Sequence, residues 1–280
     1  MPFVIEHPGI KLKVSLEPVD RLLIHEEIIE PILRRLVEEI RADGVFKHPI
    51  IVDEKTMVVL DGMHRVAAAK ELGLRLIPTC LVDYDNPNIR VFTWCRSLKG
   101  ENLDRVLDVI RGLGMELSDS RLEEALGNLG REGVVAVLFS TDRCLVIHAP
   151  CRNLKQVYEE VKRIESALKS RGYEILYLTK GDALEMVSSG QVLASIIPPS
   201  VSKEDVRRVA LRGEVFAHKT TRHVIPARPM FVNVPLEWLT MEYERANKLL
   251  QESLSARRVK RLPPGSVLDR RYEEELYVFE

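Results

Sequence analysis

The run Leu60-Asp61-Gly62-Met63-His64-Arg65 limits what this chain can fold into more than any other stretch. Two apolar, β-branched segments precede it, residues 49–53 and 57–60, with Asp53-Glu54-Lys55 between them as a turn. They read as a hairpin or paired strands. Residues 66–72 follow, rich in good helix formers, and Gly73 stops them. A strand therefore ends at Leu60, Gly62 permits a sharp turn, and a helix starts near Met63. The free N–H groups of a helix start, with His64 and Arg65 on its first turn, form an anion site. Asp61 is placed to hold a metal ion or to cap the helix. The plainer reading, a turn and N-cap without a ligand, stands beside the functional one.

The surrounding chain predicts an α/β fold of the α+β kind. Residues 11–16 alternate apolar and polar, a strand signature that Pro18 ends. Ile28, Ile29, Ile32, Leu33, Leu36, Val37 and Ile40 have helical spacing, with Asp43-Gly44 as the stop and Pro31 favouring a start at Glu30. His25 and Glu26 then lie in the loop leading to that helix. Strands are expected at 75–83 and 89–94, with 96–102 a connection, so residues 1–100 read as one α/β unit. Residues 101–200 read as a second, with a mixed or antiparallel sheet. Helix, Gly and strand recur there and just after, at Gly133, Gly190 and Gly213. Residues 201–240 are a return segment, and 241–280 a C-terminal extension within which a helix over 235–254 ends. The basic run Arg257-Arg258-Val259-Lys260-Arg261 reads as a solvated face, and residues 275–280 as a tail strand.

Composition removes several classes. The formal charge is -1, with a pI of about 6.7, where a dedicated DNA-binding protein would show a basic excess. The cysteines, Cys80, Cys95, Cys144 and Cys151, form no Cys-x-x-Cys pair and no zinc-finger spacing. They read as reduced packing thiols. The first residues lack the regions of a signal peptide and no run approaches a membrane span, so a cytoplasmic location is expected. Neither a P-loop nor a His-Arg-Asp kinase loop is present.

Asp-Gly-x-His-Arg between a hairpin and an Ala-rich helix resembles the ParB/sulfiredoxin-like fold. Within it the chain is similar to the archaeal ADP-dependent free serine kinases, over residues 11–240. Ile24-His25-Glu26-Glu27, Val91-Phe92-Thr93-Trp94 and the stretch from Gly213 to Pro226 support this, and Lys219-Thr220-Thr221-Arg222-His223 is the most specific part. The resemblance implies a ParB/sulfiredoxin-like N-terminal domain that binds nucleotide. It also implies phosphoryl transfer from ADP to free L-serine, giving O-phospho-L-serine for cysteine synthesis and releasing AMP. ADP is then a co-substrate and Mg2+ the cofactor.

Phosphoryl transfer needs anion donors, a metal ion and a base for the attacking hydroxyl. The resemblance assigns the base to Glu26, with Glu27 and Glu30 as rivals in the same turn. Gly62, His64, Arg65, Lys219, Thr220, Thr221, Arg222 and His223 are the expected nucleotide and phosphate ligands. Asp61 is expected to hold Mg2+ or orient the phosphates. Trp94, with Thr221, Arg222 and His223, is expected to bind serine in a cleft between the two units. The plain readings are a solvated loop for residues 219–223, a helix-start carboxylate for Glu26 and core packing for Trp94. One departure is Met63, where the family carries His. A ParB-like DNA-binding factor is the alternative, and it requires a helix-turn-helix after the central turn. Sulfiredoxin-like repair would need a cysteine where Met63 stands.

Overall fold

The alternation at residues 11–16 becomes the strand Ile10–Pro18, second in a five-stranded sheet. Spatial order in this computed structural model, which describes residues 2–280, is Phe3–His7, Ile10–Pro18, Leu76–Val82, Ile50–Asp53, Val59–Asp61. Ile50–Asp53 and Leu76–Val82 run parallel, and the Met63–Glu71 helix lies in the connection between them. The other pairings are antiparallel. The helix Glu30–Asp43 carries Pro31 in its first turn, where a missing N–H costs nothing, and ends at Gly44 with φ 67°. The place where a helix-turn-helix would need its second helix is taken by the strand Leu76–Val82.

This sheet belongs to one of two units: the chain up to Arg90, residues 203–215 and residues 223–280. The C-terminal residues are therefore part of it and not an appendage. Asn247, on the helix Tyr243–Ala256, bonds both the N–H (2.8 Å) and the C=O (3.0 Å) of Leu16. Glu275–Phe279, the expected tail strand, lies between Ala227–Met230 and Val259–Leu262 in a three-stranded sheet. The basic run is not simply a solvated face. Arg257 donates to the carbonyls of Phe231, Val232 and Phe279, and Arg261 pairs with Glu275. The helix expected over 235–254 is broken: a 3-10 turn, Leu236–Thr240, precedes the α-helix that starts at Tyr243.

The second unit comprises residues 91–202 and 216–222. Its antiparallel sheet runs Glu174–Leu178, Cys95–Lys99, Ala194–Ile197, Val134–Ser140, Cys144–His148, Glu116–Asp119. Neighbouring residues on one strand point to opposite faces. Leu138 and Ile196 thus join a core with Val106, Ile110, Val161 and Ile164, while Val137 and Ile197 join another with Ala125 and Ala183.

Two expectations fail here. The first stretch of the first unit ends at Arg90, not near residue 100, because Cys95–Lys99 is an interior strand of the second sheet and not a connection. Residues 214–216, after Gly213, form no strand. Among the described residues no helix is long and apolar enough to cross a membrane.

Candidate active site

Gly62 makes the turn between the strand Val59–Asp61 and the helix Met63–Glu71, with φ 100°. A Cβ there would stand 2.6 Å from Ile50 Cγ2 and 2.8 Å from Arg65 Nη2, so only glycine fits. No side chain caps the helix, which leaves its first-turn N–H groups as donors for an anion.

Asp61 is therefore not the cap. Its Oδ2 accepts from Arg65 Nη2 (3.1 Å) and Arg228 Nη1 (2.7 Å). Arg65 also donates to the carbonyls of His48 (3.0 Å) and Pro49 (2.6 Å), and Arg228 pairs with Glu274. Burial opposes charge on Asp61, but Arg228 and Arg65 outweigh it and hold the carboxyl well below the usual range. Asp61, Arg65 and Arg228, with Arg270 and Tyr272, line a cavity of about 280 Å3. Asp61 is poorly suited to the expected metal role, since two guanidiniums already neutralise it. Among the described residues no group of three or more His, Cys, Asp or Glu side chains is set to hold a metal ion.

The loop ahead of the first long helix is tied to this turn on both sides of Glu26. Leu23 bonds Met57 and Val59 through the backbone, and His25 Nδ1 donates to the carbonyl of Val59 (2.8 Å). Beyond Glu26, the N–H of Ile29 donates to His64 Nε2 (2.9 Å). His64 thus uses one ring nitrogen as an acceptor to fasten the loop, leaving Nδ1 to carry the proton. Of the three rival carboxylates only Glu26 is buried, at 5 % exposure; Glu27 is half-buried, and Glu30 is exposed and paired with Arg34.

His223 lies in the same unit. Its ring meets that of His25 edge-on at 5.5 Å, and its Nε2 is 2.7 Å from the Tyr84 hydroxyl. Tyr84, in the turn after the strand Leu76–Val82, is held by Lys203 on its carbonyl and by Arg207 across its ring. Arg207 in turn bridges Asp53 and Asp85. Burial pushes His25 down to about 4 and His223 down to about 3, with the His25 charge adding to the latter. His48, half-buried near Arg65, is also down to about 4, by partial burial and by that positive charge.

Each of these histidines takes up its proton more readily when unfolded. Their stabilisation is therefore complete above the unfolded value of about 6.5 and is lost as pH falls toward the folded values. The melting temperature should fall steeply between about pH 6.5 and 4. A flat melting profile across that window would show that the three rings are not held as neutral, desolvated groups.

The remaining expected residues gather in the second unit. Lys219 Nζ lies 5.6 Å from the Trp94 ring, and Arg222 stacks over Trp94 at 5.4 Å and Phe92 at 6.0 Å. Trp94 is thus half-buried beside two cations and is not core. Lys219 has φ 62°, a rare conformation for a side chain of its size. Thr221 is buried. Thr220 is fully buried and its hydroxyl donates to the Ala217 carbonyl at 2.7 Å, so that proton serves the loop and not a phosphate. The expected residues accordingly form two sets. Glu26, Asp61, Gly62, His64, Arg65 and His223 are in one unit, and Trp94, Lys219, Thr220, Thr221 and Arg222 are in the other.

No family profile matches the sequence, but curated relatives do. An ATP-dependent L-serine kinase of Staphylothermus marinus is 32% identical over 231 residues, covering 79% of this chain and 89% of the relative. An ADP-dependent L-serine kinase of Thermococcus kodakarensis is 28% identical, covering 79% and 90%. A ParB-like protein of Sulfolobus acidocaldarius is 28% identical, covering 71% and 84%. Among solved structures, a free serine kinase variant with a glutamate replaced by alanine is similar in complex with AMP, with a TM-score of 0.71 and 27% identity over 84% of this chain and 97% of that one. The same kind of variant with ADP gives 0.69 and 27% over 81% and 93%.

Proposed function

The chain belongs to the L-serine kinase family, and we propose that it transfers the terminal phosphoryl group of ADP to free L-serine, releasing AMP and O-phospho-L-serine. It is a kinase of free serine with a nucleotide as co-substrate. ADP as donor is supported by the ADP-dependent relative and by the free serine kinase structure with ADP. A second reading, ATP as donor, is favoured by the relative from Staphylothermus marinus. The product suits a sulfhydrylating step toward cysteine.

One observation carries the assignment of parts. Glu26, a buried carboxylate, is bracketed by His25 on Val59 and by Ile29 on His64, which fixes it beside an uncapped helix start. In this reading the first-turn N–H groups after Gly62 and the His64 ring face the nucleotide phosphates. Glu26 accepts the proton of the serine hydroxyl as it attacks. Asp61 sets the Arg65 guanidinium, and His223, held by Tyr84, supplies a neutral donor. Trp94, Lys219, Thr221 and Arg222 bind serine and the transferred group. Bound magnesium would supply charge neutralisation on the nucleotide phosphates.

The donor is tested by supplying serine with magnesium and either nucleotide and separating the products by ion-exchange chromatography. AMP formed in step with serine consumption is the expected result. ADP accumulating from ATP, with ADP itself inert, would replace the donor by ATP.

A further inference from the structure

The second unit holds a charged side chain that sequence reading passed over. Arg96 is 1 % exposed, on an interior strand next to the edge of the sheet. Its Nη1 donates to the Trp94 carbonyl at 2.7 Å and its Nη2 to the His218 carbonyl at 3.3 Å. Nε faces Glu165 at 3.2 Å. Glu165 is itself fixed by Lys169 at 2.6 Å and by the Tyr177 hydroxyl. The Tyr177 ring lies 5.8 Å from the Arg96 guanidinium and 6.0 Å from Lys219 Nζ. One planar fork thus grips the backbone at Trp94 and the backbone just before Lys219, two segments more than a hundred residues apart.

We propose that Arg96 is a positioning residue, anchored by Glu165, that sets Trp94 against Lys219 and Arg222 for serine binding. This rests on the substrate role given above to those three residues. A buried ion pair is weak support for stability by itself, since an apolar pair of similar volume often does as well. Two carbonyls aimed at one guanidinium instead define a geometry, and a lysine ammonium offers no such fork. The strained backbone of Lys219, at φ 62°, is the kind of conformation that its surroundings must hold in place.

Arg96→Lys keeps a positive charge opposite Glu165 but loses the fork. It should raise the KM for serine about tenfold, the effect of mis-set hydrogen bonds to a charged ligand, with the KM for nucleotide and the melting temperature near wild type. If that variant does not fold, the double replacement Arg96→Met with Glu165→Gln removes both charges and should show the same rise. A folded variant of either kind with the wild-type KM for serine overturns the proposal. So does one in which both KM values rise together with a fallen melting temperature, which marks a purely structural role. Trp94→Ala separates the two levels. An unchanged KM for serine there removes the substrate role of Trp94 and this inference with it. A raised one, beside unaffected Arg96 variants, removes the inference alone.

Discussion

Glu26→Gln lowers phosphoserine formation at least about a hundredfold and leaves nucleotide affinity within about twofold, the expectation for loss of a positioned general base. Glutamine preserves shape, and the tethers at His25 and Ile29 do not use the Glu26 side chain, so they should survive the change. What it lacks is a carboxylate that can take a proton. The two neighbours act as internal controls. Glu30 is exposed and paired with Arg34 through one helical turn, a solvent-screened surface pair that contributes little. Glu27 is half-buried. Glu27→Gln and Glu30→Gln should keep most of the activity, as measured by steady-state phosphoserine production. A Glu30 variant as inactive as the Glu26 variant would move the base to the helix start.

Gly62→Ala should cost about 2–5 kcal/mol of stability, combining backbone strain with overpacking. The alanine Cβ would meet Ile50 Cγ2 at 2.6 Å, and Ile50 is fully buried in the sheet. It would also press on the Arg65 guanidinium at 2.8 Å, which is pinned by two carbonyls and by Asp61. Relief would come by shifting the first turn of the Met63–Glu71 helix, and with it the N–H groups proposed to face phosphate. Urea unfolding should show the loss, and nucleotide titration of the remaining folded protein a weakened affinity. Wild-type stability in Gly62→Ala would mean that the turn is not as tight as described.

Much of the first unit was legible because its signals are local. The hairpin, Gly62 and the Ala-rich helix stand next to one another in the chain, and the strands are continuous apolar runs bounded by turn residues. The strand Cys95–Lys99 was hidden for the opposite reason. Arg96 and Ser97 look like loop residues until Glu165 and Ser195 are seen opposite them, 69 and 98 positions away. The break before Tyr243 also escaped notice, because Leu236, Leu239 and Met241 continue an apolar spacing that a 3-10 turn satisfies as well. In the candidate site, the motif residues were legible but not their partners. Arg228 reaches Asp61 across 167 positions, and Tyr84 meets His223 across 139. Such pairings carry no periodic mark in a sequence. They also bear on Asp61, expected to hold Mg2+ or orient the phosphates, whose carboxylate is the counter-charge of two arginines.

The most direct measurement supplies isotopically labelled L-serine and magnesium nucleotide to the purified chain and follows O-phosphoserine by mass spectrometry, beside the Glu26→Gln variant. Labelled phosphoserine accumulating with the wild-type chain, one equivalent per nucleotide cleaved, and nearly absent with the variant is the expected result. No labelled product from either ADP or ATP, or equal product from both proteins, would contradict the assignment of a serine-phosphorylating site built around Glu26 and the Gly62 turn.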